Sequence, residues 1–224
     1  MKKYALFSLD DTSEVDVFAK KLIDCGWSII GSRETVDALK KWDIDCIDVS
    51  DYMGVSHDFG FPPTLHPMVE AALTSDFPER IDLVFDIPYP LSKGMDVGGH
   101  TLLALAVKGD RIPVTSKEDM RSFIEKNCEL TPEEKRKFQV KALTKIAEYN
   151  ISVLSTIDET SLMNNFRRHE TLLSGENPYQ RQSYLYSSVD KDDHGILGFH
   201  KVSGERPCYT NLCDFDNLLS LFYA

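Results

Sequence analysis

Short apolar runs alternate with amphipathic stretches through the first half of the chain. Tyr4–Leu9 reads as a buried strand, and Val15, Phe18, Ala19 and Leu22 then recur at helical spacing. Trp27–Ile30 is strand-like, Thr35–Trp42 reads as a short helix, and Cys46–Val49 as another strand. Gly54–Pro67 is rich in proline and contains glycine, so it reads as a long loop of the kind that often carries function. Ile81–Phe85 is a further buried strand. It leaves through Pro88-Tyr89-Pro90, where proline forces an extended or turning path. Gly98-Gly99 precedes an apolar helix over Thr101–Val107. Strands alternating with helices predict an α/β fold, with a mainly parallel sheet flanked by helices. Ligands in such sheets sit beyond the carboxyl ends of the strands. The loops after Leu9, Ile30, Val49 and Phe85 are therefore where a site is expected.

The second half changes character. Thr131-Pro132-Glu133-Glu134 has the form of a helix start: Thr as cap, Pro in the first helical position, Glu three residues after the cap. Phe138, Ala142, Ile146 and Tyr149 follow as one buried stripe, and the spacing predicts a largely helical region, with breaks, to about His169. That reading puts Arg167-Arg168-His169 on a helix surface. Ser174–Pro178 is turn chemistry, followed by Tyr184–Tyr186, an Asp-rich segment (Asp190–Asp193) and an apolar segment, Leu218–Tyr223.

With 224 residues, 42% hydrophobic and 27% charged, the chain has material for a sizeable core and suits one domain, or one domain plus an appendage. A formal net charge of -11 argues against broad electrostatic binding to nucleic acid or anionic lipid. An anionic small molecule would need a local positive site on this acidic body. Cys25, Cys46, Cys128, Cys208 and Cys213 form no C-x-x-C pair, and reduced thiols in a cytoplasmic protein are expected. The apolar run after Met1-Lys2-Lys3 is too short for a signal peptide or a membrane span. The six histidines show no metal-ligand spacing, so no metal is expected.

Several motifs, in order, resemble one family. Ala5–Asp11 is similar to the first strand and S-V-S-D-K-T-G loop of inosine monophosphate cyclohydrolases. Thr64-Leu65-His66-Pro67 resembles the end of their G-R-V-K-T-L-H-P loop. Asp96-Val97-Gly98-Gly99-His100-Thr101-Leu102-Leu103, followed by Lys108, resembles their D-I-G-G-x-T-L-L-R-A-A-A-K helix start. Gly175–Gln180 resembles G-E-N-P-H-Q at the junction with the transformylase domain of the bifunctional purine-biosynthesis enzyme, and Asn211–Asp214 resembles the short N-L-x-D element beyond it. The resemblance implies a methylglyoxal-synthase-like fold, with residues 1–170 as the cyclohydrolase-like domain. Residues 171–224 would be an extension resembling the junction to an absent transformylase.

The resemblance also implies an activity: closure of a formamido-imidazole-carboxamide ribotide to inosine monophosphate with loss of water. No metal or organic cofactor would be needed, and the protein would be a homodimer. The chemistry needs a group to take the amide proton, donors for the developing oxyanion, and a scaffold holding the reacting atoms together. By resemblance, Asp96 and Lys108 form the acid/base pair, with Lys108 reaching back from the helix end. Tyr89 positions the substrate and Thr64 serves the oxyanion. Ser8, Ser32, Arg33, Thr35, Gly98 and Gly99 form the substrate-binding set. Read locally, Asp96 is equally a helix cap and Lys108 equally a complement to a helix dipole. His66 fits as a residue ordering its loop. Basic positions of the family are replaced: Thr12 stands at the loop lysine, Phe61 at an arginine and Pro63 at a lysine, while Ile87 stands at an asparagine. Two other readings follow from those losses. One is a related cyclisation or ring hydrolysis on a non-phosphorylated substrate. The other is a non-catalytic homologue that binds a nucleotide or a protein.

Overall fold

The computed structural model describes residues 2–56, 62–76, 78–158, 160, 163, 166–188 and 195–223. Phe61, His57, His194 and the Asp190–Asp193 segment lie outside them. The chain separates into two compact units, residues 1–157 and 158–224. The second begins before the boundary expected at residue 170.

The first unit is built on five parallel strands: β1 (Lys3–Leu9), β2 (Trp27–Gly31), β3 (Ile47–Asp48), β4 (Ile81–Ile87) and β5 (Ile112–Val114), in the order β3-β2-β1-β4-β5. The methylglyoxal-synthase-like α/β expectation is met. The near-continuous apolar runs of β1 and β4 follow from burial on both faces. Ala5, Phe7 and Leu9 join Leu83 and Phe85 in one cluster, under α1 (Val15–Asp24) and α6 (Lys117–Glu125). Tyr4, Leu6 and Val84 face a second cluster with α4 (Pro67–Thr74) and α5 (Val97–Lys108). Val15, Phe18, Ala19 and Leu22 are all buried, as their spacing predicts.

Some expectations are corrected. The strand expected over Cys46–Val49 is only Ile47–Asp48, because the Asp48 side chain accepts from Ser50 N (2.8 Å) and starts α3 (Val49–Met53). The Gly54–Pro67 loop contains a 3₁₀ turn at Pro63–Leu65. His66 Nδ1 then caps α4 by accepting from Met68 N (3.2 Å), so this histidine does order its loop. Gly98 and Gly99 lie inside the first turn of α5 rather than ahead of it.

α2 (Arg33–Lys40) follows β2, and α7 (Pro132–Ile157) ends the unit. The capping box at its start is present: Glu134 Oε2 accepts from Thr131 N (2.9 Å), and Thr131 Oγ1 accepts from Glu134 N (3.3 Å). The helical expectation to His169 fails. Phe166–Thr171 is β6, paired antiparallel with β7 (Tyr184–Ser188). Cross-strand contacts explain it, since the Arg168 guanidinium lies 4.7 Å from the Tyr184 ring centre. The second unit also holds α8 (Tyr209–Tyr223), against which Phe199 packs through Phe215. Its Gly175–Gln180 turn closes on itself, with Gly175 N donating to Gln180 O (2.8 Å).

Candidate active site

Strand order reverses between β1 and β4, and a cavity of the first unit opens there. It encloses about 470 Å³ beyond the carboxyl ends of β1 to β4, where loop crossovers diverge. Ser8, Asp10, Ser32, Arg33, Asp48, Thr64 and Tyr89 are among its lining residues. Five expected site residues, Ser8, Ser32, Arg33, Thr64 and Tyr89, therefore meet in one place. Ser32 is set by its own backbone, whose N–H donates to Phe7 O across the sheet (3.0 Å).

Thr35 is not in the lining. Its side chain is fully buried, and its hydroxyl meets Ser32 Oγ at 3.3 Å, so it supports Ser32 from behind. Gly98 and Gly99 do not line the cavity either; their missing side chains let other groups close in. A Cβ on Gly98 would lie 3.5 Å from Thr64 Oγ1, and one on Gly99 would lie 2.4 Å from Asp86 Oδ2.

Asp96 caps α5, as its local reading predicts. It is 6% exposed and sits behind the cavity wall. Its Oδ1 accepts from Gly99 N (2.8 Å) and its Oδ2 from Tyr89 N (3.2 Å), so one carboxylate ties the start of α5 to the Tyr89 loop. The Asp96 N–H donates to Tyr149 Oη (2.7 Å), from α7. His100 Nδ1–H donates to Asp96 O (2.8 Å), and its ring stacks on Tyr149 with centroids 4.0 Å apart. Tyr89 also borders a smaller cavity of about 330 Å³, beside His100, Lys145 and Tyr149.

Lys108 does not converge on Asp96. The twelve residues of α5 separate their ends by about 18 Å, more than a lysine side chain spans. Its ammonium pairs instead with Glu70 Oε1 on α4 (3.0 Å), and the side chain is 63% exposed.

Reading the sequence missed two groups near this site. Lys93, in a short 3₁₀ turn, pairs with Asp10 at the cavity (2.7 Å). Asp86 ends an apolar strand and is 2% exposed. Burial above all raises its carboxyl, to about 7 on balance: a hydrogen bond from Ser8 and the Lys145 charge pull it down, and the Asp96 carboxylate adds to the rise. The signal was present: a charge where the strand pattern calls for an apolar residue. Among the described residues, no group of three or more His, Cys, Asp or Glu side chains is placed to hold a metal, and no helix is long and apolar enough to cross a membrane.

Comparison with known proteins agrees with the fold and adds a family. The bifunctional purine biosynthesis protein PurH of Persephonella marina is 27% identical over 99% of this chain and 51% of its own length. PurH of Clostridioides difficile is 27% identical over 99% of this chain and 50% of its own length. The chain thus spans about half the length of the curated relatives it matches. The crystal structure of ForH superposes with a TM-score of 0.59 at 20% identity, over 70% of this chain and all of that one, which speaks to the fold alone. The AICARFT/IMPCHase bienzyme profile matches residues 112–224, and this chain belongs to that family.

Proposed function

We propose that this chain is a cyclohydrolase-like enzyme of purine biosynthesis, closing a formamido-imidazole-carboxamide ribotide to inosine monophosphate with release of water. The supporting observation is the gathering of Ser8, Ser32, Arg33, Thr64 and Tyr89 around one cavity at the strand-order reversal. In this reading the carboxamide nitrogen attacks the formyl carbon and gives up one proton, the formamido nitrogen gives up a second as the ring C=N forms, and the former formyl oxygen leaves with both as water. Thr64 donates to that oxygen as charge develops on it, and the Tyr89 ring aligns the imidazole. Ser8, Ser32 and Arg33 hold the phosphate, the guanidinium through paired N–H donors. Asp96 acts as a positioning residue, fixing the Tyr89 backbone and the start of α5. Lys108 has no part in this reading, because it lies about 18 Å from Asp96 at the other end of α5. A homodimer in the cytoplasm is part of the same reading, by family likeness. Incubation with the formylated ribotide should yield the ultraviolet spectrum of inosine monophosphate; an unchanged spectrum at stoichiometric enzyme would refute the assignment.

A second reading is favoured by one observation. Arg33 is the sole cation among the described lining residues, against the carboxylates of Asp10, Glu34 and Asp48. That balance suits a related ring substrate without the phosphate. Inosine binding as tightly as inosine monophosphate would select it.

A further inference from the structure

Asp86 lies on β4 in register with Ser8 on β1, so both side chains point to the same face of the sheet. Ser8 opens onto the cavity at the strand-order reversal and Asp86 is shut in behind it. Gly99 presses on the other side, so close that a single added carbon would overlap Asp86 Oδ2. That oxygen has no hydrogen-bond partner. A buried carboxylate with an unsatisfied oxygen is costly, whereas a buried carboxylic acid is tolerated.

The other charges around Asp86 are few. Asp96, at the head of α5, opposes its ionisation, and Lys145, from α7, favours it. Lys145 Nζ also donates to Thr115 O (3.0 Å), so that ammonium is tethered at the end of β5. Around the cavity itself, Arg33 faces Asp10, Glu34 and Asp48, and Lys93 is paired to Asp10. An anion entering there meets little positive charge. A further negative charge directly behind Ser8 would therefore weigh heavily against it.

We propose that Asp86, acting through Ser8, decides whether this cavity accepts an anionic ligand: the protonated carboxyl permits a phosphate-bearing occupant, and the ionised carboxylate excludes it. The phosphate orientation rests on the proposed function, but the coupling itself does not depend on turnover. Ionisation places the charge next to the Ser8 hydroxyl, which bonds Asp86 and borders the cavity. By reciprocity, a bound anion must make Asp86 harder to ionise.

The test is a carboxyl ¹³C titration of the full chain, labelled at aspartate, with the Asp86 resonance assigned by its loss in Asp86→Asn. D-ribose 5-phosphate and D-ribose are the probes. The expected result is a midpoint near neutrality that rises by about 1.5 pH units with saturating ribose 5-phosphate and stays put with ribose. Ser8→Ala should raise the midpoint above the wild-type value, because the hydrogen bond that holds it down is lost, and should blunt the response to the phosphate. A midpoint in the ordinary carboxylate range, or one that ribose 5-phosphate leaves unmoved, overturns the inference. Coupling seen in a chain that makes no inosine monophosphate sinks the proposed reaction alone, and turnover without coupling sinks this inference alone. Inosine monophosphate affinity supplies a second readout, above the phosphate's own titration near about pH 6. From pH 7 to pH 9 the dissociation constant should rise at least about tenfold in the wild type and less than about threefold in Asp86→Asn. Equal slopes in the two proteins would also overturn it.

Discussion

Replacing Asp86 with Asn should change how stability depends on pH. In the unfolded chain this carboxyl titrates at its ordinary 3.8, and in the folded chain at about 7, because it is 2% exposed. The folded state therefore holds a proton that the unfolded state has released between those two values. Stability must fall as pH rises through that window and level off above it. The whole interval corresponds to about 4 kcal/mol, and the part between pH 5 and pH 8 to roughly 2–3 kcal/mol. Asn carries no such proton. Whatever the substitution costs through its unpaired amide is constant with pH, so the gap between the two proteins should shift in favour of Asn by that amount from pH 5 to pH 8. Urea unfolding followed by tryptophan fluorescence reads the correct unit, since Trp27 and Trp42 both lie within residues 1–157. Titrations common to both proteins cancel in the difference. A gap that moves by less than about 0.5 kcal/mol would show that Asp86 is ionised in the folded state at neutral pH.

Other substitutions separate the roles drawn above. Gly99→Ala should destabilise by about 1–3 kcal/mol in urea melts, because its methyl overlaps the Asp86 carboxyl. Combining it with Asp86→Ala should recover most of that loss. Asp96→Asn should lower turnover by about tenfold to 100-fold, since an amide cannot accept from both Gly99 N and Tyr89 N and one charge-assisted bond contributes about 1.5–3 kcal/mol. Lys108→Ala should lower it by less than about threefold, as expected of an exposed ion pair; a larger drop would return Lys108 to the mechanism. Cys128 Sγ lies 2.7 Å from Cys25 Sγ, and Cys25 is exposed while burial pushes the Cys128 thiol up to about 12. Diamide treatment should join them, read by intact mass as loss of two hydrogens, and Cys25→Ser should abolish that change.

Where local rules and tertiary packing agreed, the elements were legible in the residues alone. The 15, 18, 19, 22 stripe of α1 and the Thr131–Glu134 capping box are of this kind. α4 was not legible because Pro67, at the end of the presumed loop, reads as a breaker, although it occupies the first helical turn, where proline fits. β6 was concealed for another reason. Phe166–Thr171 is mostly exposed, and its strand state comes from pairing with β7, which one-dimensional periodicity does not contain. The cavity's hydroxyls could be placed from the strand ends, because loops after parallel strands converge. Lys108 could not, since the twelve-residue spacing left its direction open until the straight helix fixed it on the far side. Asp86 was visible as an anomaly in β4, yet its meaning needed Gly99 and Ser8 beside it.

The strand order has a consequence for how the molecule is made. β1 gains one neighbour early, when Trp27–Gly31 has emerged, but its other edge waits for Ile81–Ile87. The aromatic contact that closes the middle of the sheet, Phe7 against Phe85 at 5.2 Å, joins the two ends of that long interval. Loop closure on this scale is slow compared with local helix formation. During synthesis, then, Lys3–Leu9 stands with a bare apolar edge until the ribosome has passed Ile87 and released it from the exit tunnel. A product truncated before Ile81 would keep that edge open and would offer it to other chains.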